Sequence, residues 1–208
     1  IVDGQAKAYP IKILDWHEIV NDSVGSQHFA VTYCPLCGTG VVFAANITDT
    51  ALVFGVSGLL YNSDVLLYDR NSESLWSQLL GKAVTGKLKG TLLPQIPVEH
   101  TSWKDWRARN SETVVLSRDT GAKRDYDRSP YNGYEKTKRL YFKVSNKSPN
   151  NYHPKERIIG VEVDGVYKAY PLSELSGNGM SRFEDHLNGK ELAVHWNEEA
   201  QSGWITDS

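Results

Sequence analysis

The chain has 208 residues, of which 40% are hydrophobic and 23% charged, and its formal net charge is −2 at pH 7. A chain of this length buries a core without help from disulfide bonds. The near-neutral charge gives no basic field for nucleic acid and no polybasic anchor for a membrane surface. No apolar run approaches the ~20 residues that span a bilayer. We therefore expect neither a nucleic-acid partner nor a membrane span in this chain.

The beginning of the chain matches a stretch far downstream. Residues 2–14 and 163–175 share Val, Asp, Gly, Lys, Ala, Tyr, Pro and Leu at equivalent positions, and the match continues from Asp22 and Asp185 onward. Each copy predicts a hairpin turning at Asp-Gly, a strand ending at Tyr-Pro, a helix and a further strand. We interpret this as a diverged internal repeat, with copy one at about residues 1–45 and copy two at about residues 157–200.

The remaining patterns predict strands more often than helices. In copy one a helix is expected over residues 10–20, with Ile13, Trp16 and His17 on one face. A strand-rich insert follows, with residues 57–64 as a polar loop between two strands and a capped helix over residues 102–110. The elements together predict one α+β domain over residues 1–208, mainly antiparallel β-sheet with few helices.

The only two cysteines of the chain, Cys34 and Cys37, have C-x-x-C spacing and lie between two apolar, β-prone runs. This pattern predicts a strand, a tight turn and a second strand. Pro35 fixes one φ angle, and Gly38 permits backbone angles that other residues avoid. The turn therefore holds two sulfurs on one side, and we expect the chemistry of the protein here.

Three interpretations of the cysteine pair follow from its chemistry. In a redox pair one cysteine attacks as thiolate and the other resolves the mixed disulfide. In a metal site the two thiolates bind one ion, and histidine completes the ligand set because the chain has no further cysteine. In the third interpretation the pair is an inert brace for the turn.

Other side chains are candidates for a pocket around the cysteines. His17 lies on the apolar face of its helix, where it is either a partner of the thiols or a hydrogen-bonded core residue. Glycine-rich backbone surrounds a further set of polar and aromatic residues that either line a pocket or satisfy their own turns. This set is Tyr61, Asn62, Ser63, Asp64, Trp76, Ser77 and Gln78.

Five separated motifs extend this picture: HEIVND at 17–22, TYCPLCG at 32–38, FGVSGLLYNSD at 54–64, SLWSQ at 74–78 and HPKER at 153–157. In these motifs the chain resembles the bacterial and archaeal domain-of-unknown-function family 3179. The resemblance implies export or membrane anchoring, and some members are thought to carry selenocysteine near the C-x-x-C motif. It favours redox or soft-metal chemistry, and it adds His153 to the positions expected around the cysteines.

We accordingly predict an exported thiol-based protein that carries out thiol–disulfide redox chemistry without a required cofactor. Cys34 and Cys37 are the expected reactive groups, with His17 as general base or thiolate partner. The first alternative is a copper or zinc protein with Cys34, Cys37 and His17 as ligands. The second is a non-catalytic interaction module that uses Tyr126, Tyr131 and Tyr134. The partner is an unidentified thiol or metal-handling molecule.

Overall fold

A computed structural model describes residues 1–47, 49–177 and 181–208. Its internal contacts divide the chain into two compact units. Unit 1 comprises Ile1–Val98 and Thr113–Pro149, and unit 2 comprises Glu99–Glu112 and Asn150–Ser208. The single domain expected over residues 1–208 stays a prediction.

Unit 1 contains two four-stranded antiparallel sheets, with strand orders β2-β3-β4-β9 and β5-β6-β7-β8, and a short parallel pair, β1-β10. Its elements are β1 (Lys7–Ala8), α1 (Ile11–His17), β2 (Ile19–Val24), β3 (Gln27–Cys34), β4 (Thr39–Ala44), β5 (Phe54–Tyr61), β6 (Asp64–Asp69), β7 (Leu75–Ser77), β8 (Lys82–Thr85), β9 (Gln95–Ile96) and β10 (Val114–Val115), with a 3-10 helix at Tyr134–Lys136.

Helix α1 is shorter than the expected span of residues 10–20. It ends at His17 because Glu18 adopts a left-handed backbone conformation with a φ of 58°. Ile19 and Val20 instead begin β2 and pair with β3. Their branched side chains fit a pleated strand better than a helix, which explains the early end of α1.

The polar loop expected over residues 57–64 is wrong. Strand β5 continues through most of this segment, and the turn to β6 is only Asn62 and Ser63, both with positive φ angles of 51° and 67°. A register shift between Val56 and Leu60 marks a β-bulge. The bulge accommodates a serine and a glycine that do not follow strand alternation, and this break is what made the segment resemble a loop.

One hydrophobic core draws residues from both four-stranded sheets of unit 1. Trp76 is its largest fully buried side chain, and its indole N–H donates to Asp69 Oδ2 at 2.9 Å. Cys34 belongs to the same core. The first cysteine is therefore anchored where the two sheets pack together. The buried members are Ala30, Cys34, Phe43, Ala45, Leu52, Phe54, Val65, Leu67, Trp76, Ala83 and Leu93.

Unit 2 contains a hairpin, β11-β12, and a three-stranded antiparallel sheet, β13-β14-β15. The Ser102 side chain caps α2 by accepting a hydrogen bond from the Asp105 N–H, as the sequence predicts. The elements of unit 2 are α2 (Trp103–Arg109), β11 (Ile158–Val163), β12 (Val166–Pro171), α3 (Leu172–Leu175), β13 (Arg182–Leu187), β14 (Lys190–Asn197) and β15 (Ser202–Asp207).

The predicted fold class is confirmed, since the described residues form mainly antiparallel sheets with three α-helices. The longest of these helices have seven residues. Within the described part of the chain, none of the helices has the length and apolar character that a bilayer crossing requires.

A similar three-residue contact occurs once in each unit. In both, one carboxylate oxygen accepts a hydrogen bond from a lysine and another from a tyrosine in the segment that leads into a helix. The groups are Lys7 (2.9 Å), Tyr9 (2.6 Å) and Asp22 in unit 1, and Lys168 (2.5 Å), Tyr170 (2.9 Å) and Asp185 in unit 2. This correspondence accords with the sequence match, while the internal repeat itself stays a prediction.

The carboxylate in unit 2 gives a prediction for acid stability. Hydrogen bonds from Lys168 and from the His186 N–H lower the pKa of Asp185 to about 2. Its contribution to stability is present above the unfolded-state pKa of about 4 and is lost as the pH falls through the folded-state value. Asp185→Asn should therefore flatten the pH dependence of the urea unfolding midpoint between about pH 4 and pH 2. The exposed Asp207→Asn is the matched control, and an unchanged slope in Asp185→Asn would contradict the assignment.

Candidate functional site

The two cysteines lie at the tip of one β-hairpin. Strand β3 ends at Cys34 and β4 begins at Thr39, and these two residues are cross-strand partners. Gly38 in the turn has a φ of 62°, and Thr39 Oγ1 donates to the Cys37 carbonyl oxygen at 3.1 Å. The predicted strand, turn and strand are confirmed, and the geometry places both sulfurs at one end of the sheet.

The two thiols are free, and they differ in exposure. Cys34 is 1% exposed, whereas Cys37 is an exposed residue. Cys34 Sγ lies 3.8 Å from the Ser63 carbonyl oxygen, to which a protonated thiol donates. Cys37 Sγ donates to Asp64 Oδ1 at 3.4 Å. A molecule that approaches from solvent therefore meets Cys37 before Cys34.

Hydrogen bonds shift the pKa values of the two thiols in opposite directions. The side chain and the backbone N–H of Cys37 bond to Cys34 and lower its pKa, although burial opposes them. The hydrogen bond to Cys34, burial and the charges of Cys34 and Asp64 all raise the pKa of Cys37. The pair thus loses its first proton readily and its second with difficulty. In the resulting state one proton is shared between two adjacent sulfurs.

Asp64 supplies a carboxylate to the thiol pair. It is the first residue of β6 and is 7% exposed, and its Oδ2 accepts a hydrogen bond from the Leu79 N–H at 3.0 Å. Burial raises the pKa of Asp64, although hydrogen bonds from Leu79 and both cysteines partly offset this effect. A carboxylate with a raised pKa is a better proton acceptor for a neighbouring thiol.

The three side chains also form a group of the size that binds one metal ion. One ligand atom each from Cys34, Cys37 and Asp64 lie within 4.8 Å of one another. Two thiolates and a carboxylate are a donor set that zinc accepts, and three protein ligands leave one tetrahedral position open. Among the described residues, no histidine belongs to this group.

His17 does not join the thiol–carboxylate group. Its Nε2 lies 2.6 Å from the Tyr126 hydroxyl, and that hydroxyl lies 2.5 Å from Thr120 Oγ1. The neighbouring Trp16 donates its indole N–H to the Arg128 carbonyl oxygen at 3.1 Å. The end of α1 therefore fastens the loop of residues 118–136. In this structure His17 positions a loop, and its predicted roles as base or ligand stay predictions.

Residues 61–64, at the end of the FGVSGLLYNSD motif, lie partly in solvent and partly against the thiol–carboxylate group. Tyr61 is exposed, and Asn62 Oδ1 accepts hydrogen bonds from the N–H and hydroxyl of Ser145, at 3.0 and 2.7 Å. Ser63 is buried and presents its carbonyl oxygen to Cys34, while its own hydroxyl has no hydrogen-bond partner among the described residues. The motif therefore contributes backbone and a carboxylate to the site.

The SLWSQ motif at residues 74–78 supports the cysteine hairpin. Gln78 is fully buried, and its Nε2 donates to Thr32 Oγ1 at 3.0 Å and to the Thr39 carbonyl oxygen at 3.1 Å. Its Oε1 is a buried acceptor without a partner among the described residues. Trp76 points into the core and bonds to Asp69. Gln78 thus lies against the cysteine hairpin, whereas the Trp76 side chain has a structural role.

Comparison with known protein families gives a match over the whole chain. The sequence profile of the family described as Protein of unknown function (DUF3179) matches residues 1–208. The chain belongs to this family. No curated protein and no solved structure is significantly similar to it. The family resemblance seen in the five motifs is thereby confirmed.

His153 of this DUF3179 chain lies in unit 2, whereas the thiols lie in unit 1. Its Nδ1 accepts a hydrogen bond from the Lys155 N–H at 3.2 Å. This bond leaves the ring proton of a neutral imidazole on Nε2, a buried atom with no hydrogen-bond partner among the described residues. The expected place of His153 beside the cysteines stays a prediction.

The tyrosine-rich loop is less exposed than the sequence predicts. Tyr126 and Tyr134 are each 4% exposed, so their use as a free contact surface is wrong. Tyr131 is half-buried, and burial together with the negative charges of Glu18 and Cys34 raises its pKa. Sequence reasoning missed the effect of the Cys34 charge on Tyr131, because nothing in a polar loop indicates which of its tyrosines the cysteines affect.

The carboxylate makes the reactivity of the outer thiol pH-dependent in a predictable direction. The negative charge of Asp64 raises the pKa of Cys37, so Asp64→Asn should lower it. In a Cys34→Ser background, which isolates Cys37, the pH profile of alkylation by iodoacetamide should move to lower pH in the Asp64→Asn variant. The exposed Asp3→Asn should leave the profile in place. A shift to higher pH would contradict the charge assignment.

Proposed function

We propose that the protein is a thiol–disulfide oxidoreductase that reduces a disulfide of a partner molecule and forms a Cys34–Cys37 disulfide in return. The observation that carries the proposal is the order of the groups from solvent inward. Cys37 is exposed and bonds to the Asp64 carboxylate, and Cys34 is buried behind it with a lowered pKa. The outer sulfur meets the substrate, and the inner sulfur resolves the intermediate.

In the first step Cys37 is the nucleophile. In the resting pair the charge lies on Cys34, whose pKa is lowered, and Cys37 holds the shared proton. Transfer of this proton from Cys37 to the adjacent Cys34 sulfur leaves Cys37 as the attacking thiolate. This thiolate attacks one sulfur of a substrate RS–SR′, so that the Cys37–SR bond forms while the substrate S–S bond breaks. The leaving thiolate R′S⁻ takes a proton from water. The product is a mixed disulfide at the exposed residue, where the substrate has room.

In the second step Asp64 acts as the proton acceptor. Its carboxylate contacts both cysteine side chains and takes the proton of Cys34. The Cys34 thiolate attacks the Cys37 sulfur, the intramolecular disulfide forms and the Cys37–SR bond breaks. The leaving RS⁻ receives the proton from Asp64. Overall the substrate gains two electrons and two protons, and the cysteine pair loses two electrons.

This assignment replaces His17 by Asp64 as the proposed base. His17 bonds to Tyr126, whereas Asp64 bonds directly to a reacting thiol. Export, which rests on family resemblance, is also part of the proposal. An oxidising compartment would supply disulfide partners for this chemistry.

The order of the two cysteines gives an asymmetric prediction. With 2,2′-dithiodipyridine, the wild-type protein should release two thiopyridones per chain and end without an adduct. Cys34→Ser should release one thiopyridone and retain a mixed disulfide on Cys37, because the resolving sulfur is missing. Cys37→Ser should react at least about tenfold more slowly, because its remaining thiol is buried. Intact mass and thiopyridone absorbance measure these outcomes.

A reversed pattern, in which Cys37→Ser traps the adduct rapidly, would contradict the proposed order. Absence of a Cys34–Cys37 disulfide in the wild-type product would contradict the oxidoreductase function itself. The control is Ser77→Ala, which keeps both cysteines and Asp64 and should behave like the wild type.

The thiol–carboxylate group favours metal binding as a second candidate function. Three ligand atoms lie within 4.8 Å of one another, and the Leu79 N–H donates to Asp64 Oδ2 and so fixes the orientation of the carboxylate. The residues suit Zn²⁺, or Cu⁺ bound mainly by the two sulfurs. In this proposal Asp64 takes the ligand position that the sequence assigned to His17.

Zinc titration separates the two ligand assignments. The reduced protein should bind one Zn²⁺ per chain, and Asp64→Asn should weaken the affinity by at least about tenfold. His17→Gln should leave the affinity unchanged, because this ring bonds to Tyr126. Competition with a chromophoric chelator, followed by native mass spectrometry, gives affinity and stoichiometry. Loss of Zn²⁺ binding in His17→Gln but not in Asp64→Asn would identify His17 and not Asp64 as the third ligand. If the protein bound neither Zn²⁺ nor Cu⁺, the proposed metal-binding function would be wrong.

A further inference from the structure

Three large apolar side chains lie exposed next to the thiol–carboxylate group. Tyr61 is 58% exposed and is the cross-strand partner of Asp64. Leu79 and Leu80 are each 51% exposed, and the backbone N–H of Leu79 holds the Asp64 carboxylate. We call Tyr61, Leu79 and Leu80 the apolar rim. These residues place hydrophobic surface beside the group that a substrate must reach.

The apolar rim is suited to binding a partner through its side chains, and not by adding a strand to the edge of the sheet. Strand β5 lies at the edge of its sheet, but the bulge between Val56 and Leu60 interrupts its register close to the site. A bulged edge is a poor template for an added strand. Apolar side chains of a partner, in contrast, gain free energy wherever they cover exposed leucine and tyrosine surface.

The charges around the thiols disfavour a small anionic disulfide. Asp64 contacts Cys37, and Glu18, Cys34 and Asp15 all place negative charge near Tyr131. None of the ion pairs found among the described residues involves Asp64. A substrate that carries several carboxylates is therefore repelled, whereas a peptide segment with apolar residues is not.

We propose that the apolar rim binds the polypeptide segments that flank a disulfide of a protein substrate. This inference rests on the proposed oxidoreductase function and names its substrate class. Apolar residues of the substrate, next to its cysteine, cover Tyr61, Leu79 and Leu80 while the disulfide reaches Cys37. The chemical steps are those given above, with the substrate disulfide as oxidant.

Two peptide disulfides test the inference. Each is a symmetrical dimer of an acetylated, amidated pentapeptide with a central cysteine, flanked by leucine in one dimer and by serine in the other. The reduced protein should react with the leucine dimer at least about tenfold faster than with the serine dimer. The double variant Leu79→Ser, Leu80→Ser should lose this preference, because it keeps the backbone N–H that holds Asp64 but removes the apolar surface.

The control is Val53→Ser, which removes a valine that is 41% exposed just before β5, at the opposite end of this strand from Tyr61, and should retain the preference. Tyr61→Ser is the second rim variant, for use if the double variant does not fold. Equal rates with both dimers, together with a normal reaction with 2,2′-dithiodipyridine, would contradict substrate binding by the apolar rim. The proposed oxidoreductase function would be unaffected by that result. Reaction with no disulfide at all would overturn both. A preference for glutathione disulfide over the leucine dimer would also overturn the rim.

Discussion

The two hydrogen bonds of the buried Gln78 amide hold the cysteine hairpin against the second sheet of unit 1. Gln78 follows β7, whereas its acceptors Thr32 and Thr39 lie on β3 and β4. Thr32 in turn donates to the Val41 carbonyl oxygen at 2.8 Å. A buried amide left without these partners costs about 1–3 kcal/mol. The network therefore fixes where the thiols of one sheet meet the carboxylate of the other.

The chemistry of the site depends on the proximity of three acidic groups, Cys34, Cys37 and Asp64. Two of them, Cys34 and Asp64, are buried. The charge is concentrated on Cys34, because hydrogen bonds from the side chain and backbone of Cys37 lower its pKa. Burial raises the pKa of Asp64, and Cys37 retains its proton longest. Oxidation of the pair to a disulfide would remove both ionisable thiols from this group. A bound cation would instead supply positive charge that stabilises the thiolates and the carboxylate.

Local patterns were sufficient to predict the hairpin at Cys34 and Cys37, a serine or threonine cap near residue 102 and the predominance of antiparallel strands. Each of these depends on residues a few positions apart. The partner of His17 was not predictable, because Tyr126 lies 109 positions away and only the folded chain brings the two rings together.

Asp64 illustrates an intermediate case. It was among the candidate pocket residues, but its role as the third member of the site depends on the turn at Asn62 and Ser63. Sequence alone gave this segment as a loop, because the bulge hides the alternation of β5. Whether a carboxylate faces solvent or a thiol is decided by such register details, which composition and spacing do not contain.

The lysine–tyrosine–carboxylate contacts allow the length of the neighbouring helix to differ between the two units. In each unit the contact fastens the strand that enters the helix, so the helix itself is not needed to hold the strand in place. The helix lengths differ accordingly, with seven residues in α1 and four in α3. In unit 1 the additional turn carries Trp16 and His17 onto the loop of residues 118–136. The same three-residue contact is therefore compatible with a four-residue helix in unit 2 and with a seven-residue helix in unit 1 that also binds a loop.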